Sequence, residues 1–348
     1  MDFKEFTNKM EQDLKAALED VSPGVSVRQS PVEKLQGESY SALTVMPEGD
    51  NVGVNVNLDR LYAEMQAGKS YDEVLDEAAD QMAEVLGDMP QWDVSQLSSY
   101  DRAKNQLCVE VVGIAGNEEM LNNIPHKEME NMALIYRMEV GKDERGAATM
   151  LVTNVLMDRF GVNQEQLHAD AMQNSQVIRP AVLKSMAEVM AEMIGAPVEE
   201  LQETGVPPMF VATNEEKTKG AAALFYPDFM DQAAKELGGD FYVLPSSVRE
   251  VLLLPDDGMA KTAELSAMVS QINEAEVAPE ERLSDSVYHY DADARVFELG
   301  EKFEARREAL ENEKNQRPSV LKELQNKVQD MDLKPKPAPH HTKAEPAL

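Results

Sequence analysis

Between Val206 and Leu299 short apolar runs alternate with helical apolar stripes, and that alternation leaves few ways for the chain to fold. Phe241–Leu244 and Val248–Leu254 are too short for independent helices and are split by Pro245-Ser246-Ser247, so both read as strands. From Val251 to Leu254 the second is apolar throughout, which suits a central strand covered on both faces. Met209–Thr213, Val287–Tyr290 and Arg295–Leu299 add three strands, the last two joined by a turn at Asp291-Ala292-Asp293. Met230, Ala233, Ala234 and Leu237 mark a helix that opens with Pro227 in its first turn and closes at Gly238-Gly239. Leu265, Met268, Val269 and Ile272 recur at i, i+3, i+4, i+7 and mark a second helix, entered through Asp256-Asp257-Gly258. The order is strand, helix, two strands, helix, strand, which predicts one sheet with helices packed on it.

The chain before this stretch repeats the pattern. Phe3, Phe6, Met10, Leu14 and Ala17 predict a helix over 2–20, stopped by Ser22-Pro23-Gly24. Strands are expected at Val25–Val32, Tyr40–Met46 and Val52–Leu58, where Val52, Val54, Val56 and Leu58 alternate with polar residues. Ser70 and Glu73 have the S-x-x-E spacing of a capping box before a long apolar stripe ending near Gly87. Trp92 falls in a loop. Further strands are expected at Leu107–Ile114, Met132–Val140 and Met150–Asp158, although Met150–Leu156 also suits a short helix. Asn163 is placed to cap a helix running to about Gln176, and Val182–Ile194 reads as another helix.

The fold class expected is α+β, with mixed, largely antiparallel sheets and helices packed on them in two lobes, 1–160 and 161–299. A charged helix over 300–331 and a Pro- and Lys-rich disordered tail over 332–348 should follow. Of the net charge of −31, residues 300–348 carry +1, so the rest carries −32. Such a field repels phosphates and argues against direct nucleic-acid binding. The single cysteine, Cys108, rules out an internal disulfide, no apolar run spans a bilayer, and a cytoplasmic protein is expected. Twenty-one methionines do much of the core filling that nine phenylalanines and one tryptophan cannot, and they also suit a Met-lined partner groove.

Chemistry-bearing motifs are sparse. The five histidines lack zinc spacing, and glycine-rich phosphate loops and the G-x-S-x-G elbow are missing, so no metal and no cofactor is expected. Cys108 lies within an apolar strand, where an inert thiol is expected. The candidate binding residues are those at strand ends. Asn214 ends one strand, Ser246 and Ser247 end another, and Asp256 and Asp257 end a third, where they could cap the next helix or hold a ligand. Tyr288 and Tyr290 share one face of their strand, with His289 on the other.

Four runs carry a resemblance. They are Phe160–Leu167 with Asn174 beyond it, Phe210–Asn214 ahead of Ala221–Leu224, Gly239–Ser247 followed by Glu250–Asp256, and Glu276–Asp285 followed by Val287-Tyr288. Together they resemble an uncharacterised bacterial domain-of-unknown-function family of anaerobic Gram-positive bacteria, often found on mobile elements. The chain is more distantly similar to the uncharacterised YtpQ family. The resemblance covers roughly Val52 to Leu299 and implies no reaction, because the family has none assigned. The leading expectation is a non-enzymatic module that binds or regulates another protein. The alternatives are an acidic mimic that occupies a basic DNA-binding protein, and a hydrolase built from Ser246, Asp256 and Asp257.

Overall fold

Asp2 opens the first helix, α1 (Phe3–Leu18), by accepting the Glu5 amide at 2.8 Å. Phe6, Met10, Leu14 and Leu18 then fall at four-residue steps on one face, and all four are fully buried. They meet an antiparallel sheet of β1 (Ser26–Glu33), β2 (Ser39–Met46) and β3 (Val54–Asn57), in the order β1-β2-β3. The third strand stops short of Leu58, because the Asn57 side chain accepts the Arg60 amide at 2.9 Å and starts α2 (Leu58–Gln66). The expected capping box forms, with Glu73 reaching back to the Ser70 amide at 2.8 Å, and opens α3 (Tyr71–Gly87). Val74, Ala78 and Met82 of α3 complete a core that, among the described residues, draws on these elements and on Val25.

The structure is a computed structural model and describes residues 1–33, 39–49, 53–87, 98–143, 146–203, 208–245 and 247–316. Val52, Trp92, Ser246 and the tail beyond 316 lie outside the described residues. The chain forms two compact units, Met1–Gly300 and Glu301–Leu348.

A short helix, α4 (Tyr100–Ala103), leads into the second sheet. Its strands are β4 (Leu107–Gly113), β5 (His126–Met129), β6 (Met132–Asp143) and β7 (Gly146–Leu151), with α5 (Glu118–Asn122) between the first two. The long β6 takes β4 along one side, and β5 and β7 also pair with it. Pairing of β6 with β7 runs out to Asp143 and Gly146. The strand expected over Met150–Asp158 ends at Leu151, because Thr153 caps α6 (Asn154–Phe160) through the Leu156 amide. Asn163 caps α7 (Gln164–Ile178) as expected.

The helix expected over Val182–Ile194 is a strand joined to a helix. Ala181–Ser185 forms β8, and Ser185 then makes a full capping box with Glu188 at the head of α8 (Met186–Ile194). Gly195, left-handed, ends α8 ahead of α9 (Val198–Glu203). The remaining elements are β9 (Phe210–Asn214), α10 (Phe229–Leu237), β10 (Phe241–Leu244), β11 (Val251–Pro255), α11 (Thr262–Glu276), β12 (Tyr288–Asp291) and β13 (Val296–Leu299). The third sheet has the order β13-β12-β10-β11-β9-β8, with every neighbouring pair antiparallel. The apolar β11 is interior, as its composition required.

The largest core lies between the second and third sheets. It takes Leu107, Val109, Leu134 and Tyr136 from one and Val243, Leu253, Tyr288 and Tyr290 from the other, so it draws on both sides of residue 160. A 3₁₀ turn, Gly220–Phe225, sits within this core with every residue buried. The second unit is described only as the charged helix α12 (Gly300–Gln316), where the Arg306 and Arg307 guanidiniums lie 5.7 and 5.3 Å from the Phe303 ring. Among the described residues no helix is long and apolar enough to cross a membrane.

Gly220 is where the turn meets the third sheet, and a Cβ there would stand 2.5 Å from the Arg249 carbonyl and 2.7 Å from the Asn214 amide. Backbone cannot retreat as a flexible side chain can, so Gly220→Ala should cost about 1–3 kcal/mol. Urea unfolding of the variant checks this, and an unchanged midpoint would show that the turn is not held against the sheet.

Candidate functional site

The third sheet ends in the edge strand β8. Leu183 packs into the main core, so Val182 and Lys184, one residue to either side, face the opposite way. Register places Val182 beside Thr213 and Lys184 beside Val211. Helix α8 folds back over this face and brings Val189 and Glu192 above it. The result is a groove of about 320 Å³ with Val182, Val189 and Val211 as its apolar lining. Lys184 and Glu192 pair across it at 2.5 Å, and Glu215, Lys217 and Glu250 stand at its margin. Asn214 is buried at the end of β9, where it donates to the Thr218 carbonyl at 2.7 Å and accepts the Thr218 amide. Those two bonds close the loop in which Lys217 and Lys219 adopt positive φ.

Helix α8 hides little of itself. Its buried residues are Ala187 and Ala191, which pack against Val198 and Leu201 of α9. Its bulky side chains point outward: Met190 is 36% exposed, Met193 80% and Ile194 65%. These three are spaced i, i+3, i+4 and form a stripe. Val189 and Met193 are one turn apart, so the apolar wall of the groove continues onto it. Covering a Met or Ile fully is worth about 1.5–3 kcal/mol, so the free helix leaves substantial binding energy unused.

The strand-end residues separate. Ser247 accepts the Arg249 amide at 3.2 Å and forms a turn before β11. Asp256 follows the other end of that strand, so the length of β11, about 17 Å at a rise of about 3.4 Å per residue, lies between them. Neither Asp256 nor Asp257 caps α11, whose N-cap is Lys261. Each accepts the amide two residues ahead, at Gly258 and Met259, which the Asp-Asp-Gly sequence favours. Asp256 also meets buried His289 at 3.1 Å from Nε2, with Tyr242 edge-on to the imidazole. Burial holds the His289 pKa below its ordinary 6.5, although Asp256 pulls it upward. Tyr288 and Tyr290 do face away from His289, into the main core. The Tyr288 hydroxyl donates to Asn131 and also contacts the Ser284 hydroxyl, and the Tyr290 hydroxyl donates to Asp231 at 2.6 Å. Burial moves the Tyr288 pKa upward. Among the described residues no three His, Cys, Asp or Glu side chains are placed to hold a metal ion.

The pattern of a family of unknown function, DUF5688, matches residues 3–292. The chain belongs to the DUF5688 family. The matched region starts with α1, well ahead of Val52, and ends in the turn between β12 and β13, so α12 lies beyond it. No curated protein and no solved structure matches the chain.

This DUF5688 member also buries charge, which composition alone did not expose. Glu110 of β4 is 3% exposed and takes Arg179, which follows α7, at 3.3 Å and Arg137 of β6 at 3.6 Å. Burial opposes the charge on Arg179, and the nearby Glu110 and Glu139 carboxylates help to hold its pKa up. Burial pushes the Cys108 thiol up to about 11, so at neutral pH it stays a protonated, unreactive group.

Glu110→Ala would leave two arginines without their carboxylate and should cost about 3–5 kcal/mol in denaturant unfolding. A loss below about 1 kcal/mol would mean that water reaches the cluster. For His289, the unfolded chain takes up a proton as pH falls through about 6.5, while the folded chain keeps the ring neutral to lower pH. Unfolding therefore binds a proton, and stability should fall as pH drops below about 6.5. His289→Gln should flatten that slope in melts taken across the window, and parallel profiles for the two proteins would refute the assignment.

Proposed function

We propose that the protein is a non-enzymatic protein-binding or regulatory module whose contact surface is α8 with the adjoining groove. The observation that carries this is the outward stripe of Met190, Met193 and Ile194 on a helix that buries only two alanines. Methionine adapts its shape to different partners at little strain, and a contiguous exposed apolar patch is costly unless something covers it. Ser247, Asp256, Asp257 and Tyr290 support the same reading, because each is engaged in a local turn or a core contact.

A photo-crosslinking amino acid at position 193 should yield discrete adducts in cells of the native host. The same probe at exposed Val155 should not. Met193→Gln with Ile194→Gln should abolish the adducts of a probe at Met190 without lowering the melting temperature. Equal labelling from 193 and 155 would rule this surface out.

One observation favours the second reading, an acidic mimic. Asp72, Asp76, Asp80 and Glu84 form an exposed row on α3 at four-residue spacing. Glu73 and Glu77 stand beside it, and the helix contains no Lys or Arg. Glu73 is used in the capping box and Glu77 pairs with Lys69, which leaves the four-residue row, spaced about 6 Å, within twofold of the roughly 3.4 Å charge spacing of one DNA strand. Like charges at i, i+4 cost about 0.2–0.5 kcal/mol per pair, a strain that a basic partner would relieve. Asp76→Asn with Asp80→Asn should therefore stabilise the free protein. If the mimic reading holds, the same change weakens salt-sensitive retention of a DNA-binding protein; unchanged retention would exclude it.

A further inference from the structure

We infer that the partner segment seated on α8 is a basic amphipathic helix of another protein; the inference rests on the protein-binding reading above. The shape of the surface points to a helix. Met186, Met190, Met193 and Ile194 follow the i, i+4, i+7, i+8 ridge that one helix presents to another. The ridge is about 12 Å long, two helical turns. Beside it the valine-lined groove of about 320 Å³ has room for an apolar anchor from the same partner helix.

The charge of the margin gives the sign. Lys184 is taken by Glu192. Glu215 and Glu250 line the groove, and among the described residues neither carboxylate makes a hydrogen bond or an ion pair. Glu199 and Glu200 are exposed in the first turn of α9, beside α8. Lys217 is the remaining cation lining the groove. A second copy of this chain would bring the same acidic margin and a net charge of −31 to meet it. An acidic helix would be repelled in the same way. A helix carrying Lys or Arg beside its apolar stripe gains contact and charge complementarity together, and the charge term should speed association and fade with salt.

Two labelled synthetic helices of about 18 residues, with the same leucine stripe and either lysine or glutamate elsewhere, test this against the full chain by fluorescence anisotropy. The lysine peptide should bind and the glutamate peptide should not. Met193→Gln with Ile194→Gln, which leaves the net charge untouched, should weaken binding at least about tenfold. Glu215→Gln with Glu250→Gln should weaken it about fivefold and reduce its salt dependence. Glu118→Gln with Glu119→Gln removes the same charge from exposed positions on α5 and should change nothing. Equal losses from the two charge-removing pairs would show diffuse attraction and overturn the inference. Binding of the glutamate peptide at α8, or binding of neither peptide while crosslinks from 193 persist, would overturn the basic helix and leave the protein-binding reading standing. A dimer in sedimentation that Met193→Gln with Ile194→Gln dissolves would make a second copy the occupant and overturn it too. Absence of position-specific crosslinks would instead remove the underlying reading.

Discussion

The 3₁₀ turn Gly220–Phe225 is what the two larger sheets share. Ala221, Ala222, Ala223, Leu224 and Phe225 are all buried in the core that joins them. Small side chains let the turn's backbone come close to the sheets, and Gly220 is the closest point. The turn is tied to the third sheet where the Ala221 amide meets the Val248 carbonyl, and Thr213 reaches the Arg249 carbonyl at 2.8 Å. Thr213 and Asn214 belong to the strand that forms the groove floor. The position of the groove therefore follows from how that turn packs.

Much of this was legible in the chain. Alternation placed Tyr288 and Tyr290 together and His289 opposite, because a strand's period is fixed by its backbone. An uninterrupted apolar run placed β11 inside its sheet. Helical spacing of apolar residues located α1, and capping residues located α3 and α7. Where the reading failed, a single residue changed the outcome. Ser185 divides a continuous apolar pattern into β8 and α8, and Asn57 and Thr153 do the same for α2 and α6. Periodicity weighs side-chain faces and is blind to a hydroxyl or amide that captures one amide proton. The charged pairs were beyond reach for a different reason. Asp256 and His289 lie 33 positions apart, and Glu110 and Arg179 lie 69 apart. Only the sheet order brings them together. The strip on α8 was not singled out, because its methionines look like core in one dimension.

The functional picture is a division of labour among polar groups. Buried ones are consumed by structure: His289 by Asp256, Glu110 by two arginines, and Asn214 by its loop. Glu215 and Glu250 at the groove, and Asp72, Asp76, Asp80 and Glu84 on α3, stay exposed or at the margin and keep their charge. Unused recognition capacity therefore lies on the outside, with apolar area on α8 and negative charge around it.

The edge strand β8 has one more consequence. A bare sheet margin invites other chains to add on, and growth of that kind ends in insoluble fibrils. Here the margin is five residues long, includes a lysine and turns at once into a helix. At the other end, β13 is four residues long. A crowded solution of this protein thus meets two short, blunted borders, and the sheet should resist templating even at the concentrations reached during synthesis.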